Sequence, residues 1–289
     1  MSGGYVGKIL EVDLTSQKIK KTPLDMDEAR MFIGGRGLGA KWLCDRAKTG
    51  GSYLDPDNPL CFMSGPLNGL PAPSTGRLTV VTRSASTFPK SNPETTGICH
   101  TNTGGRWAPE LKFAGYDALV ISGQSSEPVY LYIHDEVCEF KSANHLWGCG
   151  AAETRERLKT DLGHGVRVLA IGPAGQNQVS LATVLADEDS CGAGGIGAAM
   201  GIKNLKAVAV CGDFKPTAAN PAALAELTGF LKEIKQKSPG KTFAAPPGMQ
   251  ARRQICYGCI IGCDRSLHRT PDGRSGKYMC ASGPVYEGF

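Results

Sequence analysis

The feature that most constrains the fold of this chain is an internal repeat. Each copy has a strand that ends in Gly-Pro, then a Gly-Gly pair that opens a helix, then an apolar strand that begins at an alanine. These landmarks are Gly65-Pro66, Gly104-Gly105 and Ala118 in the first copy, and Gly172-Pro173, Gly194-Gly195 and Ala207 in the second. The repeat predicts two related α+β units around a pseudo-twofold axis. Chance recurrence is the alternative interpretation, since 38 of the 289 residues are glycine.

The two Gly-Gly pairs have a second interpretation beyond topology. A glycine pair that opens a helix leaves bare N–H groups at the positive end of the helix dipole, which suits an anion such as phosphate. Two copies related by a twofold would offer two anion sites facing one axis, as a cofactor with two phosphate arms requires. Close packing of helix on strand, with no ligand, explains the same pattern and stays open at this point.

The composition and the change of character near residue 212 predict the domain organisation. Hydrophobic residues make up 41% of the chain and charged residues 20%, which excludes a disordered protein. Residues 1–212 hold both copies of the repeat and form one predicted domain. Residues 213–289 form a second, which opens at Asn220-Pro221 with leucines at helical spacing. We therefore expect an α+β fold: a duplicated sheet-and-helix unit, followed by a truncated, mainly helical segment.

Charge and hydropathy exclude several classes of protein. The net charge of +5 comes without a dense basic stripe, which argues against nucleic-acid binding. We find neither an apolar run of membrane-spanning length nor a signal peptide, so we expect a soluble, cytoplasmic protein. Eleven cysteines in a chain without a leader are not expected to form a disulfide framework.

The strongest local motif is a cysteine triplet, Cys256-x2-Cys259-x3-Cys263. Three thiolates this close in sequence can bind one metal centre, and thiolates favour Fe–S clusters or zinc. A three-cysteine run with a distant fourth ligand is more typical of a [4Fe–4S] cluster. A zinc knuckle completed by His268 or Cys280 is the alternative. By contrast, the glycines from Gly34 to Gly39 lack dinucleotide-binding spacing, so we expect them to serve helix packing.

A series of further motifs runs in order along almost the whole chain. They are Gly65-Pro66-Leu67-x-Gly69 with Ala72-Pro73, Gly76-Arg77, Asn102-x-Gly104-Gly105, the run Glu110 to Ala118, Gly172 to Gly175, Gly194-Gly195-x-Gly197-Ala198-x-Met200-Gly201, Lys203 to Ala207, and the cysteine triplet. With these motifs the chain resembles the N-terminal half of the tungsten-containing aldehyde ferredoxin oxidoreductases.

The resemblance implies the cofactors. In that family two pterins bind one tungsten, or molybdenum in some relatives, through four dithiolene sulfurs, and the N-terminal sheets form a saddle under the pterins. A Mg²⁺ ion joins the two pterin phosphates, and a [4Fe–4S] cluster lies nearby. The predicted pseudo-twofold is what such a saddle needs.

The resemblance also implies roles for individual residues. Arg77 would bridge pterin and cluster, while Asn102 and Ser190 would offer backbone oxygens to the magnesium. Gly104 and Gly192 would give N–H groups to the phosphates, with Gly105 and Gly194 in the same cofactor-binding glycine turns. The cluster would be held by Cys256, Cys259 and Cys263, and Glu287 is the candidate for catalytic proton transfer.

The activity implied is oxidation of an aldehyde to a carboxylic acid, with electrons leaving through the cluster to ferredoxin or an Fe–S subunit. Reduction of an aromatic acyl-CoA, and a non-catalytic pterin- or Fe–S-binding module, are the alternatives. We further expect a fragment or split subunit that needs a second chain for its C-terminal half, with homo-oligomer formation open.

Some positions depart from the family pattern. Asp189 replaces an arginine beside the phosphates, which puts one anion contact in doubt, and Ile260 replaces a proline. The spacer between Lys206 and Cys256 is shorter than in the archaeal enzymes of this family. Family members are longer, so the fourth cluster cysteine and the C-terminal pterin motifs are missing from this sequence unless Cys280 substitutes for that cysteine.

Overall fold

Two six-stranded sheets form the body of the protein. The structure is a computed structural model that describes residues 3–48, 51–84, 97–187, 190–237, 250–253, 255–260, 266–273 and 275–278. The strands of the first sheet are β1 (Lys8–Asp13), β2 (Lys18–Pro23), β3 (Leu60–Met63), β4 (Leu78–Arg83), β5 (Ile98–Thr103) and β6 (Ala118–Ser122). Those of the second are β7 (Val129–His134), β8 (Val137–Ser142), β9 (Arg167–Ala170), β10 (Val184–Leu185), β11 (Cys191–Gly192) and β12 (Leu205–Cys211).

The two sheets have the same strand order, which confirms the predicted duplication. The first sheet runs β2-β1-β6-β3-β4-β5, and the second, read in the corresponding direction, runs β8-β7-β12-β9-β10-β11. In both, the strand after the glycine pair lies parallel to the first strand of a hairpin and antiparallel to its other neighbour. Even single hydrogen bonds recur, since Ser64 N donates to Asp117 O at 3.0 Å and Ile171 N donates to Lys206 O at 3.1 Å.

Helices cover the outer faces of the sheets. On the first sheet lie α1 (Met26–Phe32) and α2 (Gly35–Arg46), and on the second lies α4 (Ala151–Leu162), while α5 (Pro173–Gln176) is a single turn. A short 3₁₀ turn spans Asn144–Leu146. The helical conformation breaks between α1 and α2 at Ile33 and Gly34. A Cβ on Gly39 would lie 2.7 Å from Val81 Cγ2, so the glycine run serves close packing of α2 on the sheet, as predicted.

Two short helices lie between the sheets and fill the shared core. They are α3 (Trp107–Phe113) and α6 (Ile196–Ile202), one from each unit. Helix α3 of the first unit packs on β9 and β12 of the second sheet. The Trp107 ring lies 5.6 Å from the Phe62 ring, and Trp107 Nε1 donates to Val208 O at 3.1 Å. Each unit is therefore completed by the other.

The residue at the start of the central strand, just before β6 in the first unit and within β12 in the second, differs in charge between the units. In the first unit it is Asp117, which forms an ion pair with buried Lys112 Nζ at 2.8 Å. In the second it is Lys206, whose Nζ donates to Cys149 O and Ile171 O, each at 2.7 Å. Burial lowers the pKa of Lys206 to about 8. Both side chains tie loops to the end of the strand.

The segment after residue 212 differs in part from expectation. Helix α7 (Pro221–Lys237) opens where Asn220-Pro221 predicted it, with Ala223 N donating to the Asn220 side chain at 3.0 Å. Beyond it, the description as mainly helical is incomplete, because a three-stranded antiparallel sheet is present. Its strands are β13 (Gln250–Arg253), β14 (Ser266–Arg269) and β15 (Ser275–Tyr278). Among the described residues, no helix combines the length and apolar character needed to cross a bilayer.

Candidate cofactor and metal site

The two sheets meet along their edge strands, β5 and β11, at the predicted pseudo-twofold axis. Ala193 N donates to Thr101 Oγ1 at 3.0 Å, and Cys99 Sγ donates to Gly194 O at 3.1 Å. Gly192 has no side chain between the strands, and a Cβ there would lie 2.9 Å from Thr103 Cγ2. Burial raises the pKa of Cys99, so this thiol stays protonated as a hydrogen-bond donor. We call this contact between β5 and β11 the seam. It is narrow because Gly192 lies on one side of it.

Gly104 follows β5 directly and faces two other parts of the chain. Its N–H donates to Ser190 Oγ at 2.6 Å, which joins the first sheet to the loop before β11. A Cβ on Gly104 would lie 2.8 Å from Cys256 Sγ and 3.2 Å from Ser190 Oγ. Only glycine therefore permits this backbone to approach the cysteine thiol. Three segments that are far apart in sequence converge here.

The loop with Cys256 and Cys259 is docked on the first unit. Tyr257 N donates to Gly105 O at 3.0 Å, and Ser74 N donates to Gly258 O at 2.8 Å. Within the loop, Cys259 N donates to Cys256 O at 3.1 Å, which forms a tight turn with both cysteines half-buried. The C-x2-C spacing itself is common among cysteine pairs that bind one metal centre.

Arg77 and Asn102 lie on neighbouring strands at the edge of the site. Arg77 precedes β4, and its carbonyl accepts a hydrogen bond from Asn68 Nδ2 at 3.0 Å. The Asn102 side chain accepts from Thr79 Oγ1 at 2.8 Å across the β4–β5 pair. The sequence reasoning missed both supporting residues. Asn68 occupies the unassigned position of the Gly65-Pro66-Leu67-x-Gly69 motif, and that motif was the available signal.

A buried carboxylate fixes the loop that carries Ser190. Asp187 accepts a hydrogen bond from Val168 N at 2.7 Å and forms an ion pair with Lys159 Nζ at 2.8 Å. Burial raises the pKa of Asp187, and the Lys159 ammonium opposes that shift. Ser190 O in turn accepts from Ala186 N at 2.8 Å. No pattern of residues points to Asp187, because its role depends on the distant partners Lys159 and Val168.

The predicted site residues divide into two sets. The structure brings together Gly104, Gly105, Ser190, Gly192, Gly194 and Cys256, with Cys259 one turn further and Arg77 and Asn102 at the strand ends. Cys263, Glu287, Asp189 and the alternative ligand Cys280 lie outside the described residues. The nine cysteines within the described ranges form no disulfide with one another, and no group of three metal-ligating side chains occurs in those ranges.

Comparison with known proteins agrees with the family resemblance found in the sequence. Residues 9–212 match the family model described as the N-terminal domain of aldehyde ferredoxin oxidoreductase. The tungsten-containing aldehyde ferredoxin oxidoreductase of Pyrococcus abyssi is 40% identical over 238 residues, 82% of this chain and 38% of that protein. A Pyrococcus furiosus protein described as an aliphatic sulfonate oxidoreductase, WOR-like subunit, is 35% identical over 222 residues, 71% of this chain and 34% of that protein.

A solved structure shares the fold. It is the active-site complex BamBC of benzoyl coenzyme A reductase with 1,5-dienoyl-CoA, with a TM-score of 0.85 and 29% identity over 99% of this chain and 51% of that one. The chain spans less than two-fifths of the length of the tungsten-containing relative from Pyrococcus abyssi. The family model covers well over half of the chain, and the matched range includes both six-stranded sheets apart from Lys8. The chain therefore belongs to the aldehyde ferredoxin oxidoreductase family.

Proposed function

We propose that this chain is part of an oxidoreductase of the tungsten or molybdenum bis-pterin type that oxidises an aldehyde to a carboxylic acid. The reaction balances as aldehyde plus water giving acid, two protons and two electrons, and the electrons leave through a [4Fe–4S] cluster to ferredoxin or an Fe–S subunit. The observation that carries the proposal is the approach of Gly104 to Cys256. It places a bare glycine backbone, suited to a phosphate-bearing cofactor, beside a thiol suited to a cluster.

The residues present fit the proposed groups. Gly104, Gly192 and Gly194 bring backbone close to neighbouring segments at the seam between the sheets, where a side chain would clash with protein atoms. Asn102 and Ser190 would offer the backbone oxygens to a magnesium ion, while Arg77 lies on the adjacent strand end. Cys256, Cys259 and Cys263 would hold iron. When bound, the metal–pterin group would supply the two-electron oxidation, as cofactors do in such enzymes.

The chain itself supplies placement. Thr79 fixes the Asn102 amide, and Asn68 fixes the carbonyl of Arg77, so both residues keep defined orientations. The ion pair of Asp187 and Lys159 fixes the chain just before Ser190, and Ala186 N donates to Ser190 O. Pre-organised groups of this kind need no rearrangement when charge develops at the site. We assign proton transfer to Glu287, whose carboxylate is the chemically suitable base of the proposed set.

Ser190 has a further consequence for loading. Its hydroxyl accepts the Gly104 N–H at 2.6 Å, so this N–H reaches a phosphate only after Ser190 rotates away. Ser190→Ala would leave the N–H open, and Ser190→Thr would retain the acceptor. Loading of the cofactor would therefore exchange one acceptor for another at Gly104.

Metal analysis and turnover of the native protein, purified anaerobically, test the proposal. We expect iron together with tungsten or molybdenum, and aldehyde-dependent reduction of a viologen dye. Cys256→Ser should lose cluster iron, while Cys44→Ser, an exposed cysteine on α2, should keep it. Wild-type protein that lacks both iron and tungsten or molybdenum would refute the proposal.

Reduction of an aromatic acyl-CoA is the second candidate. It is supported by the likeness to the benzoyl coenzyme A reductase complex, which extends over 99% of this chain. The same preparation distinguishes the two candidates. Dye reduction with aldehydes supports the first, whereas oxidation of reduced dye with an aromatic acyl-CoA, without aldehyde turnover, supports the second.

A further inference from the structure

Tyr257, one of the two residues between Cys256 and Cys259, makes more contacts with the first unit than a spacer requires. Its hydroxyl donates to Gly69 O at 3.0 Å, and its backbone N–H donates to Gly105 O at 3.0 Å. One side chain and its own peptide thus reach two separate loops. Gly69 lies in the loop that leads to β4, and Gly105 lies in the glycine turn after β5.

The Tyr257 ring has its own packing site. It lies edge-to-face against Phe113 at the end of α3, with ring centroids 6.1 Å apart. The ammonium of Lys215 lies over the same Phe113 ring, 4.6 Å from its centroid. Such aromatic pairs favour one relative orientation beyond the area they bury. The ring therefore restricts the direction in which the cysteine loop leaves the first unit.

The backbone around the ring leaves little room for another position. A Cβ on Gly76 would lie 3.0 Å from both Tyr257 O and Tyr257 Cβ, and 2.8 Å from Gly105 O. Gly258 O accepts the hydrogen bond from Ser74 N on the other side of the tyrosine. The loop is thus held at the backbone of Tyr257 and Gly258, the two residues between the cysteines, and at the tyrosine ring.

We propose that Tyr257 is a positioning residue that sets where the metal centre on Cys256 and Cys259 lies relative to the Gly104–Gly105 turn. This inference rests on the proposed function, because that turn is where the cofactor would bind. Tyr257 touches neither substrate nor reacting atoms. It acts through the loop, by keeping the Cys256 thiol against the bare backbone of Gly104 and limiting the access of water to the centre.

Release of metal reports how often the loop opens. Iron leaves a cluster for a chelator through local opening, and the rate follows the opening equilibrium. Tyr257→Phe keeps the ring and loses the bond to Gly69 O, so we expect release about fivefold faster, the factor that one ordinary hydrogen bond provides. Tyr257→Ala also loses the ring, and we expect release roughly tenfold faster or more. Phe113→Leu, which leaves the loop sequence intact, should give part of the Tyr257→Ala effect.

The reduction potential distinguishes positioning from general support of the fold. Potentials of Fe–S clusters depend on solvent exposure, and water stabilises the more negative, reduced cluster. We therefore expect Tyr257→Ala to shift the midpoint potential, measured by EPR-monitored titration, in the positive direction. A purely structural residue would lower the melting temperature and leave the potential unchanged. Tyr132→Phe, which removes a hydroxyl near Cys211 in the second sheet, is the matched control.

The native protein, purified anaerobically, gives outcomes that separate this inference from the proposed function. Faster iron release with a shifted potential in Tyr257→Ala, and neither change in Tyr132→Phe, supports the inference. Wild-type release and potential in Tyr257→Ala overturn it while the proposed function stands. Zinc in place of iron overturns the proposed cluster, and zinc release from the same variants then decides the positioning role. Wild-type protein without metal overturns both.

Discussion

The two sheet-and-helix units share one topology and differ in what they do with it. In the first, β4 and β5 are six residues long, and the loops before β4 and after β5 bind the cysteine turn. In the second, the corresponding β10 and β11 have two residues each, and the loop before β11 supplies Ser190. Strand order is thus duplicated, but the loops that bind the cysteine turn belong to the first unit. The two units differ in the length of these edge strands and in the described loops that adjoin them.

The buried charges show the same divergence. Asp117 and Lys206 stand at corresponding places, yet one forms a side-chain ion pair and the other binds only backbone carbonyls. A site of fixed topology can therefore be satisfied by either sign of charge, provided every polar atom finds a partner. Substitutions in each unit test how far this comparison holds.

The largest effect is expected at Gly104, where the first unit approaches the cysteine loop. Gly104→Ala places a methyl group 2.8 Å from the normal position of Cys256 Sγ, so the loop must move away and most of the iron should be lost. Gly150→Ala, in the second unit, meets no atom within 4 Å and is the control. Iron quantification after anaerobic purification measures both. Equal iron contents in the two variants would contradict the claim that metal binding depends on the close approach of Gly104 to Cys256.

The next largest effect is expected at Asp117. Asp117→Asn leaves the buried Lys112 ammonium without its counter-charge, which typically costs about 3–5 kcal/mol of the free energy of unfolding. The exposed pair of Lys41 and Asp45 provides the control, because Asp45→Asn should cost less than about 1 kcal/mol. Urea denaturation measures both. Similar costs would show that the first unit tolerates an unpaired charge as its counterpart does.

Lys206 in the second unit should make stability depend on pH. Its pKa is lowered to about 8 in the folded protein from the usual 10.5, so between these values the unfolded chain binds more protons and stability rises with pH. Lys206→Met lacks this contribution. The destabilisation that it causes, measured by thermal melts, should therefore be larger at pH 10 than at pH 8. A cost that stays constant or falls would contradict the assignment.

The smallest effect is expected at the seam that joins the units. Thr101→Val removes the acceptor for Ala193 N with little change of shape, and one such hydrogen bond contributes about 1 kcal/mol. Thr22→Val, which affects only a bond to Glu11 within the first sheet, is the comparison variant. Denaturant midpoints report the two losses. If only Thr101→Val also lowers iron content, the seam transmits strain to the site.

The sequence predicted the parts of the fold that depend on local pattern. The strands β3, β6 and β12 were evident from residue type alone. Strand β5 was missed because its residues are mostly polar and alternate between exposed and half-buried positions. Its strand character comes from pairing with β4, a tertiary effect.

The site was predictable in the same measure. Glycine pairs and cysteine spacing identify Gly104, Gly194 and Cys256 by residue type and position along the chain. The bond from Gly104 to Ser190, and those of Tyr257 to Gly69 and Gly105, join residues separated by 86 to 188 positions. Sequence spacing holds no record of such contacts, so the positioning residues are recognisable only in the folded chain.

The exchange of helices between the units has a consequence for biosynthesis. All strands of the first sheet leave the ribosome before residue 123, but α3 packs on β9 and β12, and Trp107 bonds to Val208. During translation the first unit therefore keeps α3 unpacked, with an incomplete interior, until roughly the next 85 residues have emerged. Its stable folding is coupled to the completion of its twin, and chaperone binding in that interval would protect the exposed tryptophan.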